Sequence, residues 1–149
     1  MRVTVDEWRL KALSDRCGVP VPLVKIMPGG DHHEGGIVRG DYDRTTGRIR
    51  LFLDLDGKLE ASRLIYVNSS LVFTFLHEFR HHIQQHTWTP EQWAEDALRP
   101  YHLKEQERDA NSWADIEKAG NRGLIHVKRV FHGSGMSRLA KTEKGVRNA

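Results

Sequence analysis

The residues with the clearest chemical potential are His77, Glu78 and His81, within the segment LVFTFLHEFRHHIQQH at positions 71–86. On a helix, His77 and His81 share one face with Cβ atoms about 6 Å apart, so both imidazoles can reach one ion. Glu78 is rotated by about 100° from that face and can reach a water on the metal. The spacing predicts a zinc site at which Glu78 takes a proton from an attacking water and passes it to a leaving amine.

The alternative to a metal site is that these histidines are hydrogen-bonded within an ordinary core, and the residues around the motif help to decide between the two. A helix that is apolar on nearly every side is buried, and unpaired polar groups are costly there. This helix is apolar at Leu71, Val72, Phe73, Phe75, Leu76, Phe79 and Ile83. The surroundings therefore favour a metal site.

A catalytic zinc needs a third protein ligand, and the segment KEQERDANSWADIEKAG supplies the candidates. They are Glu105, Glu107, Asp109, Asp115 and Glu117. Glu107 shares its helical face with Ala110 and Ala114, whose small side chains would let this helix approach the motif helix. Glu105 lies on a polar face, so we predict Glu107 as the ligand, with Asn111 one turn further on to orient a metal-bound histidine.

The group that would stabilise a developing oxyanion is less well defined. His82 and His86 form a second pair four residues apart, which we expect to be partly exposed. Other candidates are His32, His33, Tyr42, Tyr101 and His102, among which the sequence does not choose.

The pattern along the chain predicts an α+β fold with an N-terminal helix, a small antiparallel sheet or hairpin, the HExxH helix and C-terminal helices. The first helix is expected over Val5–Cys17, with Thr4 as its N-cap. The hairpin pairs Gly36–Asp43 with Arg48–Leu53, and RLIYV is read as a further extended run. Three helices follow, at Ser70–His86, from Pro90 to Arg99 behind the N-cap Thr89, and at Tyr101–Lys118.

The chain has 149 residues, which favours a single domain, placed at residues 1–120. Its one cysteine, Cys17, has no thiol partner, so a metal must be held by histidine and carboxylate. No secretory signal or membrane-spanning stretch is evident, so we expect a cytoplasmic protein with no membrane partner.

Residues 121–149 form a basic extension. A second hypothesis is therefore a DNA- or protein-binding module that uses this tail and holds a non-catalytic metal. The tail lacks interleaved aromatics apart from Phe131, which makes nucleic-acid contact the less favoured role.

Two motifs resemble those of a known family. HEFRH is followed 26 residues later by ERDANSWA. This arrangement is similar to the H-E-x-x-H and E-x-x-A-N-x-F-A pattern of the ImmA/IrrE zinc metallopeptidases, with Arg80 and Trp113 as departures. The segment GIVRGDYDRTTGRIRLFL resembles the strand pair that precedes the active helix in minimal gluzincin peptidases.

The resemblance implies one Zn²⁺ per chain, held by His77, His81 and Glu107, with Glu78 as catalytic base. It also implies a protein or peptide substrate such as a transcriptional repressor. In such peptidases an exposed edge strand pairs with an extended substrate, and Arg48–Leu53 is our candidate for that strand. The alternative is that this strand merely covers the motif helix.

Overall fold

The computed structural model describes residues 2–28, 38–53 and 61–128, and it confirms the α+β prediction. The helices are α1 (Glu7–Cys17), α2 (Ala61–Thr87), α3 (Pro90–Ala97) and α4 (Glu105–Glu117), with 3₁₀ turns at Tyr101–Leu103 and Lys118–Asn121. The strands are β1 (Arg2–Val5), β2 (Leu23–Pro28), β3 (Val38–Asp43), β4 (Arg48–Leu53) and β5 (Ile125–Lys128). Within these ranges no helix combines the length and the apolar character needed to cross a membrane.

Helix α2 is the centre of the fold and is longer than the sequence suggests. Val67, Leu71 and Phe75 are fully buried and recur at helical spacing, so the apolar stripe begins before Ser70. The prediction that RLIYV is extended is wrong, because it forms an early part of α2 with Ile65 and Tyr66 exposed. Periodicity alone does not separate a short apolar run in a strand from one in a helix.

The three-stranded sheet has the order β2-β4-β3. Strand β4 lies in the middle, parallel to β2 and antiparallel to β3. The prediction that Arg48–Leu53 is an edge strand is therefore wrong, because the segment Leu23–Pro28 adds a strand beside it. The predicted hairpin is confirmed for Val38–Asp43, whereas residues 36 and 37 lie outside the described residues. Strand β3 is the edge strand beside α2.

The N-terminus and the last described strand form a ribbon that the sequence did not predict. Strands β1 and β5 pair antiparallel, with Arg2 opposite Lys128. Thr4 is therefore not an N-cap, because it lies in β1, and the side chain of Asp6 caps α1 instead by accepting from the Arg9 N–H. Ile125 and Val127 are fully buried, so the domain continues beyond residue 120 to at least Lys128.

The start of α4 is set by one buried carboxylate. Asp96 is 2% exposed and accepts hydrogen bonds from the backbone N–H groups of Glu105 and Gln106. The predicted start at Tyr101 is wrong, since residues 101–103 form the preceding 3₁₀ turn. The predicted capping box of α3, between Thr89 and Gln92, is confirmed.

Strand β3 approaches α2 very closely at Gly40. A Cβ atom at this position would lie 2.9 Å from Cγ of Glu78, 2.9 Å from Cγ2 of Thr74 and 3.3 Å from Cδ2 of Leu51. Contacts below 3 Å require a neighbour to move, and two of the three neighbours, Glu78 and Leu51, are buried. The absence of a side chain at Gly40 therefore brings the edge strand against Glu78.

Substitution of Gly40 tests this close approach. Gly40→Ala should lower the free energy of unfolding by about 1–3 kcal/mol, because an added methyl group overpacks the interface between β3 and α2. Gly120→Ala is the matched control, since a Cβ there meets nothing within 4 Å. Urea denaturation measures both variants. Equal stability of the two would contradict the packing described here.

Candidate metal centre

Helix α2 directs His77 and His81 toward α4, where Glu107 faces both imidazoles. The two Nε2 atoms lie 3.1 Å apart. Oε1 of Glu107 is 3.0 Å from Nε2 of His77, and Oε2 is 3.2 Å from Nε2 of His81. The carboxylate of Glu107 thus spans the histidine pair, as the sequence predicts.

Small residues on α4 allow this approach. Ala110 and Ala114 are fully buried on the same face as Glu107. Glu105 is exposed, and its carboxylate lies 3.9 Å from the guanidinium of Arg99 rather than near the histidines. The structure therefore separates the two carboxylates that the sequence offered as alternatives.

The second ring nitrogen of each histidine has an oxygen partner. Nδ1 of His77 is 2.8 Å from Oδ1 of Asn111, the residue predicted for this role. Nδ1 of His81 is 2.9 Å from Oε1 of Gln84. Because amide oxygens only accept hydrogen bonds, both Nδ1 atoms carry a proton. A neutral imidazole therefore offers its Nε2 lone pair to the shared point, whereas a protonated imidazole donates its Nε2–H to Glu107.

These donors fit a divalent ion of the zinc type. Ligand atoms about 2.0–2.2 Å from a tetrahedral zinc lie about 3.4 Å from one another, so the observed triangle needs to widen only slightly. Two imidazoles and one carboxylate form a set that catalytic zinc sites use, with the fourth position left for water or substrate. Cys17 lies on α1, in keeping with a site built from histidine and carboxylate.

Glu78 belongs to the same cluster but holds a different position. Ligating atoms of His77, Glu78 and His81 all lie within 4.8 Å of one another. However, Oε1 of Glu78 is 3.8 Å from Nε2 of His77, farther than either oxygen of Glu107 from its histidine. Glu107 is therefore closer to the histidine pair than Glu78 is, which favours Glu107 as a third ligand.

The environments of the two carboxylates differ sharply. Burial raises the pKa of Glu78 from 4.5 to about 7, although the nearby His81 and His77 oppose the shift. Hydrogen bonds from His77 and His81 lower the pKa of Glu107 to about 2. Burial lowers the pKa of His81, but its hydrogen bonds to Glu107 and Gln84 outweigh that effect, so the net shift is upward.

A cleft of about 230 Å³ opens beside these groups. Strand β3 forms one wall with Gly40, Asp41 and Tyr42, and Trp93 and Tyr101 line other parts. Glu78, His81 and Glu107 all border this cleft. A molecule that enters it reaches the histidine cluster and the buried carboxylate together.

The candidates for an oxyanion stabiliser are now distinguished by their contacts. The Tyr42 hydroxyl lies 2.7 Å from Nδ1 of His82, whose Nε2 donates to the carbonyl of Pro20, so the Tyr42 hydroxyl donates to His82. Tyr101 is exposed and lines the cleft. His102 is also exposed, but it is not among the residues lining the cleft. His32 and His33 lie outside the described residues.

The same contacts correct the expectation for the second histidine pair. His82 is 2% exposed rather than partly exposed, because it packs beneath Tyr42. His86 is exposed.

Sequence reasoning missed two residues that support the site. Gln84 follows His81 by three positions and contacts it, and Asp109 contacts Gln84 from α4. The helical spacing between His81 and Gln84 was a usable signal. The pairing of Gln84 with Asp109 depends on the packing of α2 against α4 and has no local signal.

The raised pKa of Glu78 predicts a pH-dependent stability difference in chelator-treated protein. Protonated Glu78 contributes its full stability below pH 4.5, and that contribution is lost as the pH rises from 4.5 to about 7. Glu78→Gln carries no charge at any pH. Its free energy of unfolding should therefore exceed that of the wild type by about 3 kcal/mol above pH 7 and match it near about pH 4. Thermal or urea unfolding at both pH values measures this, and a pH-independent difference would refute the assignment.

Comparison of the chain with protein-family models, with curated proteins and with solved structures returned no match. The resemblance of the two motifs to the ImmA/IrrE peptidases therefore stays a hypothesis.

Proposed function

We propose that this chain is a zinc-dependent endopeptidase. The observation that carries the proposal is the triangle formed by the Nε2 atoms of His77 and His81 and the carboxylate of Glu107, with sides of 3.0–3.2 Å. Beside it lies a second, buried carboxylate, Glu78, that borders the same cleft. A metal-binding triad with an adjacent carboxylate that is not a ligand is the arrangement that metal-assisted hydrolysis requires.

Bound zinc would supply a Lewis acid that polarises a carbonyl and acidifies a water molecule. Glu78 takes the proton of the attacking water on its carboxylate and delivers it to the nitrogen of the departing amine. Glu78 is placed for both halves of this transfer, because its buried carboxylate borders the same cleft as His81 and Glu107.

Strand β3 is the proposed platform for the substrate. Among the described residues it pairs only with β4, so no described strand covers its other edge. Gly40 lies on this strand and against Glu78. An extended peptide that pairs with β3 would thus hold a carbonyl beside the buried carboxylate, which favours an unfolded segment of a protein as substrate. A repressor-like substrate is implied only by the motif resemblance.

Tyr101 is the proposed donor to the developing oxyanion. It lines the cleft with Glu78 and Glu107. The charge of Glu107, together with partial burial and the charge of Glu78, raises the pKa of the Tyr101 phenol. The hydroxyl therefore keeps its proton at neutral pH and can donate it in a hydrogen bond.

The alternative of a binding module that uses the basic tail stays a prediction, because residues 129–149 lie outside the described residues. No contact among the described residues favours it over hydrolysis.

Metal content tests the ligand assignment. Wild-type protein should contain about one zinc per chain, and Glu107→Ala should lose most of it because only two protein ligands remain. Glu105→Ala is the matched control, since it removes a nearby exposed carboxylate and should retain the metal. Elemental analysis of proteins purified in parallel measures all three. Equal zinc in the two variants would refute the assignment of Glu107.

Peptide hydrolysis tests the role of Glu78. Glu78→Gln should keep its zinc but cleave an unstructured protein substrate about 10²–10⁴-fold more slowly, because the amide cannot accept the proton of the water. Glu105→Ala should cleave at the wild-type rate. Turnover of Glu78→Gln equal to that of the wild type would overturn the mechanism.

A further inference from the structure

A chain of hydrogen bonds extends from His81 across to α4. Nδ1 of His81 lies 2.9 Å from Oε1 of Gln84. Nε2 of Gln84 lies 2.9 Å from the carbonyl oxygen of Gln106 and 2.8 Å from Oδ2 of Asp109. The carboxylate of Asp109 in turn accepts from the guanidinium of Arg80 at 2.8 and 3.2 Å.

The groups on α4 determine which atoms donate and which accept along this chain of hydrogen bonds. A backbone carbonyl can only accept a hydrogen bond. Both carboxylate oxygens of Asp109 accept hydrogen bonds from the guanidinium of Arg80, so Asp109 is also an acceptor toward Gln84. The amide of Gln84 must therefore direct its NH₂ group toward α4. Its oxygen is left to face His81, where it can accept only from an Nδ1–H.

We propose that Gln84 is the positioning residue that holds His81 in the tautomer and orientation needed to bind a metal through Nε2. This inference rests on the proposed metal site. Gln84 is 1% exposed, so no water competes for its amide. His77 has a different partner, Asn111, and Gln84 is thus the corresponding support for the second histidine.

Gln84 also joins the two helices that supply the ligands. Its amide contacts α2 through His81 and α4 through the carbonyl of Gln106, the residue before Glu107. The position of His81 is therefore coupled to the position of the carboxylate that faces it. Arg80, which departs from the family pattern, anchors the far end through Asp109 and lies over the ring of Trp113.

The test compares Gln84→Met with wild type by zinc affinity and by the tautomer of His81. Zinc titration against a chromophoric chelator should give a Kd for zinc about 10–100-fold higher for Gln84→Met than for the wild type. Loss of a side chain that hydrogen-bonds a metal-bound histidine typically weakens metal affinity by about that factor. Nitrogen-15 NMR of chelator-treated protein, at alkaline pH where imidazoles are neutral, should show Nδ1–H for His81 in the wild type and its loss in the variant.

Gln85→Met is the matched control, because it removes an amide one position along that contacts Arg44 instead. It should leave both readouts unchanged. Asp109→Asn changes the partly exposed end of the hydrogen-bond chain while keeping the shape of the side chain, and it should also raise the Kd for zinc. This second variant tests the inference if Gln84→Met does not fold. The inference about Gln84, but not the proposed function, would be overturned if Gln84→Met had the zinc affinity and the His81 tautomer of the wild type. If Gln84→Met is unfolded, the same result in Asp109→Asn would overturn it. A wild type that binds no zinc would overturn the proposed function with it.

Discussion

Helix α2 packs against α4, against the sheet and against β5, so the polar groups in its middle turns depend on protein partners. An unpaired polar group buried in this way costs more than its hydrogen bond contributes when made. Glu78, His81 and Gln84 are all buried within this helix. The partners that satisfy them come from the neighbouring elements, and this requirement determines how closely those elements must approach.

Each neighbouring element meets the requirement in its own way. Strand β3 reaches Glu78 because Gly40 has no side chain to hold it away. Helix α4 reaches the histidines because Ala110 is small, and Asp96 sets the residue at which α4 begins. A shift of that start by one residue would rotate Glu107 by about 100° away from α2. The cap of α4 is therefore part of what places the proposed ligand.

The sequence predicted the features that depend on local spacing. The histidine pair, the adjacent Glu78 and the face of α4 that carries Glu107 all follow from helical periodicity. The ribbon between β1 and β5 did not, because it joins segments more than 100 residues apart. Both strands alternate polar and apolar residues, but each has only 4 residues, which is a weak local signal. Strand β2 was missed for a related reason. Its parallel pairing with β4 makes β4 central and transfers the edge to β3.

The two carboxylates beside the histidines show how the fold assigns different chemistry to identical groups. Glu107 accepts hydrogen bonds from both imidazoles, which hold its pKa at about 2, so it is a permanent anion suited to bind a cation. Glu78 is set against β3 with less direct contact to the histidines, and burial raises its pKa to about 7. Separation of two pKa values by environment is how neighbouring acids take distinct roles in catalysis. The difference here arises from packing, because β3 approaches closely at Gly40 and Glu78 is only 6% exposed, whereas α4 presents Glu107 to the imidazole nitrogens. The closeness of β3 to α2 therefore contributes directly to the proton-transfer capacity proposed for the site.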